Sequence, residues 1–289
     1  MKERFKNIGR GFGYFGIYFA SQVAGSLMCS IGFGIYAGYK AGKEGMVSGS
    51  NTMDYVRDSI QNNMGLVVIV SAILALLVIA IMYKLRHEKM FEKINLKPVS
   101  SKNVIAGAGI GTAMYILVVG VLMNLPLSDN MLNSYSESAS GLFSQSAILA
   151  IMGNIFAAPI IEEVFFRGLL FDRLKKAMPV GLAMLISSVV FGLMHGQVIW
   201  VCYATVVGLF LSYIYHKSGS ILPTIAAHMF LNGTSTLVNY TRLSSFATET
   251  FFDIALFVAV PVIILLMVVI FRKHDEAKDV VYTIQSSEG

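Results

Sequence analysis

Charge is scarce in this chain. Asp, Glu, Lys and Arg make up 13% of its 289 residues, against about 25% in an ordinary soluble domain. Hydrophobic residues supply 55%, and the mean hydropathy is +0.67. That composition excludes a soluble fold and points to an integral membrane protein. Cysteine is almost missing as well. Cys29 and Cys202 both sit in apolar stretches, with no CxxC or Cys/His metal spacing, so no disulfide framework is implied. An HExxH pair, which would make a zinc hydrolase compelling, does not occur. Gly107, Gly109 and Gly111 alternate as GxGxG where a dinucleotide fingerprint needs GxGxxG, so close helix packing is the better account of them. Neither an internal repeat nor a soluble second domain can be found, which leaves one transmembrane domain over 1–289. The net charge is +5. Its basic residues fall in short segments between apolar runs, where they orient a membrane protein and do not form a nucleic-acid surface.

What the chain has is long apolar runs. Crossing the hydrocarbon takes roughly 20 residues of helix, and eight candidates are present: 12–36, 65–84, 104–125, 146–166, 180–196, 198–215, 221–239 and 252–271. The first is too long for the core of a cleavable signal peptide, so a retained span is expected despite the basic start. The fold expected is all-α and polytopic. With eight spans, Lys2 to Arg10, the cluster from Lys84 to Lys102, Arg167 to Lys176, Lys217, and Arg272 to Lys278 all lie on one side. The opposite connections hold only Lys40, Lys43, Arg57 and Arg242. The positive-inside rule then puts both termini in the cytoplasm of a multi-pass cell-membrane protein. Segments 40–64 and 127–145 are polar and are expected to be external loops, the second partly ordered. Residues 85–103 fit either a short interfacial helix ending before Pro98 or a solvated loop. Residues 274–289 are expected to be a disordered tail.

The fourth run carries Glu162, Glu163 and Arg167. Charges at that depth need partners or a wet cavity. On a helix Glu163 and Arg167 meet at i,i+4, while Glu162 points about 100° away from Glu163. One carboxylate is then neutralised, leaving the other free for proton transfer. His195 lies as far beyond the turn at Met178-Pro179 as Glu162 lies before it. In an antiparallel hairpin the two share one depth, provided the fourth helix continues past Arg167. His228 and Asn232 share one face of the seventh run at i,i+4. A water held between Glu162 and His195 could attack a peptide carbonyl, with His228 and Asn232 stabilising the oxyanion. One glutamate and two histidines could instead ligate zinc, and a metal-independent site is favoured. His87, His216 and His274 sit in basic connections and are expected to be solvated. Phe165, Phe166 and Phe191 are expected to pack helices, and Trp200 with Tyr203 to anchor at the membrane interface.

Glu162-Glu163-x-x-x-Arg167, Phe191-x-x-x-His195 and His228-x-x-x-Asn232, in this order on successive apolar segments, resemble the motifs of the CPBP intramembrane proteases. These are the type II CAAX prenyl endopeptidase and bacteriocin-processing enzymes, also called the Abi family. The resemblance covers roughly 146–239, the expected catalytic core, and implies an eight-helix membrane fold and an intramembrane endopeptidase. It matches Glu162 and His195 to the water-activating pair and His228 and Asn232 to the oxyanion pair, with Glu163 and Arg167 accompanying. The implied substrate is a membrane-associated peptide or protein, such as a prenylated CAAX-like tail or a bacteriocin leader, met in the lipid bilayer. No nucleic acid and no cofactor are implied, and no oligomeric state is indicated. The competing reading is a non-catalytic immunity or regulatory scaffold of the same family. A proton-coupled transporter ranks below both, because the sequence lacks the inverted repeat and broken-helix pattern of such proteins.

Overall fold

The computed structural model describes residues 1–44, 49–143, 145–241, 254 and 257–268. Among these residues the regular structure is all helical. The helices are α1 (Lys2–Glu44), α2 (Gly49–Gln61), α3 (Met64–Leu85), the single turn α4 (Met90–Lys93), α5 (Ser101–Asn124) and α6 (Asp129–Phe143). They are followed by α7 (Ala147–Leu174), α8 (Val180–Leu193), α9 (Val198–Ser218), α10 (Leu222–Thr241) and α11 (Phe257–Val268). A helix falls on each of the eight apolar runs. Five of them, within α1, α3, α5, α7 and α9, are long and apolar enough to cross a membrane. α8 and α11 are shorter. α10 has 20 residues, but His228, Asn232, Asn239 and several threonines dilute its apolar character.

Several expectations change. The first helix is not confined to 12–36 but runs for 43 residues, about 65 Å at 1.5 Å per residue. No proline precedes Pro98, so no ring interrupts it. The expected loops 40–64 and 127–145 contain the helices α2 and α6. Aromatic contacts hold both against the bundle, Tyr55 on Tyr36 and Tyr135 on Trp200. The tail 274–289, Arg242 and His274 lie outside the described residues.

Two apolar clusters form the interior. One joins α1, α3, α7 and α8 around Tyr18, Ile79, Phe165, Phe166 and Phe191. The other joins α5, α9, α10 and α11 around Ile110, Met114, Leu211, Ala227 and Ile263. Ile73, Leu77, Ile81, Ile105 and Leu185 remain exposed on the outside, as lipid-facing side chains do and as a water-soluble surface does not. The alternating glycines of α5 serve packing, as expected. A Cβ on Gly107 would collide with the carbonyl of Pro223, and one on Gly111 with that of Ala227. Small residues here let the α5 and α10 backbones touch, which brings His228 and Asn232 close to the rest of the site.

At one end of the bundle the connection after α3 is pinned in place and is not a merely solvated loop. Asn95, held at φ 55°, donates to the Tyr215 hydroxyl at 2.7 Å, and Tyr215 donates to Asp172 Oδ1 at 3.1 Å. Asn tolerates the left-handed conformation this requires. Lys175 and Lys176 pair with the same aspartate, while Ile221 N–H donates to the Asn95 carbonyl and Ser220 Oγ to that of Lys97. Three connections, 86–100, 175–179 and 219–221, therefore close this end together.

Candidate functional site

α7 continues from Ala147 to Leu174, so the condition for placing Glu162 and His195 at one depth is met. It is not a uniform α-helix, however. Ile151–Ala157 and Glu163–Phe171 are π-helical, on either side of one α-turn, Ala158–Glu162. Such wider turns cost hydrogen-bond geometry and recur at functional sites. A local reason is legible at Asn154. The N–H of Ala158 reaches back to the Gly153 carbonyl, and Pro159, the i+5 residue from Asn154, has no N–H to give. The Asn154 carbonyl is taken instead by the side chain of Asn232, whose Nδ2 donates to it at 2.8 Å. A backbone group freed inside an apolar bundle thus finds a partner on another helix.

Glu163 and Arg167 are fully buried and paired, Arg167 Nη1 donating to Glu163 Oε1 at 2.8 Å. Arg167 also donates through Nη2 to the Gly208 carbonyl at 3.2 Å, and its guanidinium lies 4.4 Å from the centre of the Phe191 ring. The pair expected from the i,i+4 spacing therefore forms, but Glu163 does more than neutralise an arginine. His228 Nδ1 lies 2.9 Å from the same Glu163 oxygen. An arginine-paired carboxylate only accepts hydrogen bonds, so Nδ1 carries the hydrogen and Nε2 is left for the site. Nε2 lies 3.7 Å from Glu162 Oε2.

His195 follows the end of α8. Its Nδ1 lies 3.0 Å from the Phe191 carbonyl, which can only accept, so in the neutral ring Nε2 is the free acceptor. Phe191 stands edge-on to both imidazoles, 4.9 Å from His195 and 5.7 Å from His228 between ring centres. It packs helices as expected and also holds the orientation of the two rings.

Glu162, His195, His228 and Asn232 line one cavity of about 320 Å³. Asn154, Phe191 and Ser235 line it too, as do the aromatic side chains of Tyr115, Tyr135, Trp200 and Tyr203. Trp200 and Tyr203 thus face the cavity, which interface anchoring alone does not explain. Glu162 keeps 17% of its side chain exposed, whereas neighbouring Glu163 has none. The division between a structural and a free carboxylate is therefore present in the geometry.

Tyr18 of α1 is a neighbour that the motifs do not contain. Its hydroxyl donates to Glu162 Oε1 across a long 3.5 Å. The contact spans 144 positions, and no local pattern in the sequence marks it. Among the described residues no three His, Cys, Asp or Glu side chains are grouped to hold an ion, and the Glu163 contact at His228 Nδ1 leaves Nε2 as the open nitrogen of that ring.

Fold and site together define a polytopic α-helical membrane protein with an acid, two imidazoles and a carboxamide around one cavity between its helices. The segment 144–234, about a third of the chain, matches the family model described as type II CAAX prenyl endopeptidase Rce1-like. It contains all seven motif residues named above. Among curated proteins the chain is similar to "Putative membrane peptidase YdiL" of Bacillus subtilis (strain 168), 32% identical over 88 residues. The match covers 30% of this chain and 36% of that protein, so it spans little more than a third of the relative's length. No solved structure matches.

Proposed function

We propose that this protein is an endopeptidase of the cell membrane that hydrolyses a peptide bond with a water activated by Glu162 and His195. The observation that carries the reading is the convergence of Glu162, His195, His228 and Asn232 on one cavity. Glu162 takes a proton from the water as its oxygen attacks the scissile carbonyl, and His195 Nε2 accepts the second water hydrogen bond. His228, held through Nδ1 by Glu163, donates from Nε2 in its doubly protonated form to the developing oxyanion. Asn232 has one amide hydrogen on Asn154 and offers the other to the same oxygen. The proton held by Glu162 then passes to the leaving amine as the C–N bond breaks. No covalent intermediate is needed. Both termini lie in the cytoplasm, and the substrate is a peptide or a membrane-anchored protein.

Comparing peptide termini in cells carrying wild-type protein and the Glu162→Gln variant tests this function. Termini present with the wild type and lost with the variant support it; identical profiles favour a non-catalytic scaffold. The proposed chemistry uses no metal. Exhaustive chelation of the reconstituted protein should leave cleavage at its original rate, and loss of activity restored by stoichiometric zinc would show that the imidazoles serve as ligands.

A further inference from the structure

The two ends of the bundle differ in charge, and the cavity belongs to only one of them. Lys84, Arg86, Lys93, Lys97, Lys175 and Lys176 lie on the connections that close together around Asn95, Asp172 and Tyr215. α1 joins them through its N-terminal part, where Gly11 packs on Leu170 and Arg173. The other end carries the C-terminal part of α1, α2 and α6, with Asp54, Asp58, Asp129 and Glu137 against Lys40, Lys43 and Arg57. It is tied by Gln145 Oε1 accepting from Gly65 N–H at 2.6 Å and by the Tyr240 hydroxyl donating to the Gln145 carbonyl at 2.8 Å.

From Glu162 the cavity extends toward this second end. Tyr135, Leu142 and Phe143 of α6 line it, and no residue of 84–102 or 168–180 does. On the basic side of Glu162 the space is filled by the Glu163–Arg167 pair and by Phe165, Phe166 and Phe171, all fully or almost fully buried. The basic end is the cytoplasmic one by the positive-inside rule.

We propose that the cavity is reached from the extracytoplasmic face, so that the substrate is a peptide segment presented there, with aromatic or aliphatic side chains beside the scissile bond. A tail attached to the cytoplasmic leaflet is the substrate this geometry disfavours. The side-chain preference follows from Tyr115, Tyr135, Trp200 and Tyr203, which leave Glu162 the one carboxylate on the lining among the described residues. The substrate half of the inference rests on the endopeptidase reading, whereas the accessibility half does not.

Accessibility is tested in a C29S/C202S background carrying single cysteines at Ser235 in the cavity, at exposed Ser134 on α6 or at exposed Lys89 on the basic end. A membrane-impermeant methanethiosulfonate reagent added to intact cells should modify S134C and S235C and spare K89C. Inverted vesicles should show the opposite pattern. Reaction of S235C in detergent checks that its thiol is free, and an unchanged thermal unfolding midpoint in detergent checks that the variant is folded. Modification of S235C only from the K89C side, or from neither side, would overturn the proposal, as would modification of K89C in intact cells. Labelling needs no turnover, so its failure is separate from a failure of Glu162→Gln to abolish cleavage.

Discussion

The Glu162→Gln variant should lose peptide cleavage by about 10²–10⁴-fold, the usual contribution of a positioned general base, while keeping its fold. Glutamine retains the size and the hydrogen-bonding capacity of glutamate but offers no carboxylate to take the proton from water. Little in the structure leans on the charge of Glu162. Its contacts are the long Tyr18 hydrogen bond at 3.5 Å and the 3.7 Å approach of His228. A stability change within about 1 kcal/mol is therefore expected. Rates of peptide release in proteoliposomes, with thermal unfolding in detergent as the control, measure both quantities. Unchanged turnover in the folded variant would remove Glu162 from the chemistry.

Substituting the adjacent carboxylate should have the opposite signature. Glu163→Ala leaves Arg167 with no acidic partner at zero exposure, and breaking a buried pair in this way costs about 3–5 kcal/mol. It also removes the acceptor that fixes the His228 ring, so the surviving folded fraction should be slow. A sharply lowered melting temperature in detergent is the expected result. Replacing both partners, Glu163→Leu with Arg167→Met, should recover part of the stability without recovering activity, because the uncompensated charge is gone but His228 is still unheld. An unchanged melting temperature for Glu163→Ala would mean that the arginine finds another partner. Neighbouring glutamates thus separate catalysis from stability, although they differ by one position in the chain.

Long apolar runs made the helices of the bundle legible, because a continuous apolar segment of about 20 residues satisfies its own backbone in lipid as a helix, whereas a barrel strand is shorter and alternates. The motif residues were legible because charge and imidazole are conspicuous in such runs. α2 and α6 were not, since Gly, Ser and Asn favour turns in isolation and only packing by residues such as Tyr55 and Tyr135 holds these segments helical. The π-turns of α7 leave no hydrophobic period of their own. Pro159 was the available clue, because it frees the Asn154 carbonyl that Asn232 takes. The bond from His228 to Glu163, 65 positions apart, and that from Tyr18 to Glu162 are products of tertiary packing and carry no local signal.

Hydrolysis by this route requires the acid and the imidazoles to act on one reacting centre. A double-mutant cycle measures this most directly, with cleavage rates for wild type, Glu162→Gln, His195→Ala and the double variant on one peptide substrate. Residues that act as a unit are strongly non-additive, so the double variant should be about as slow as the slower single one. Multiplied losses, with each substitution exerting its full effect in the presence of the other, would contradict a shared site.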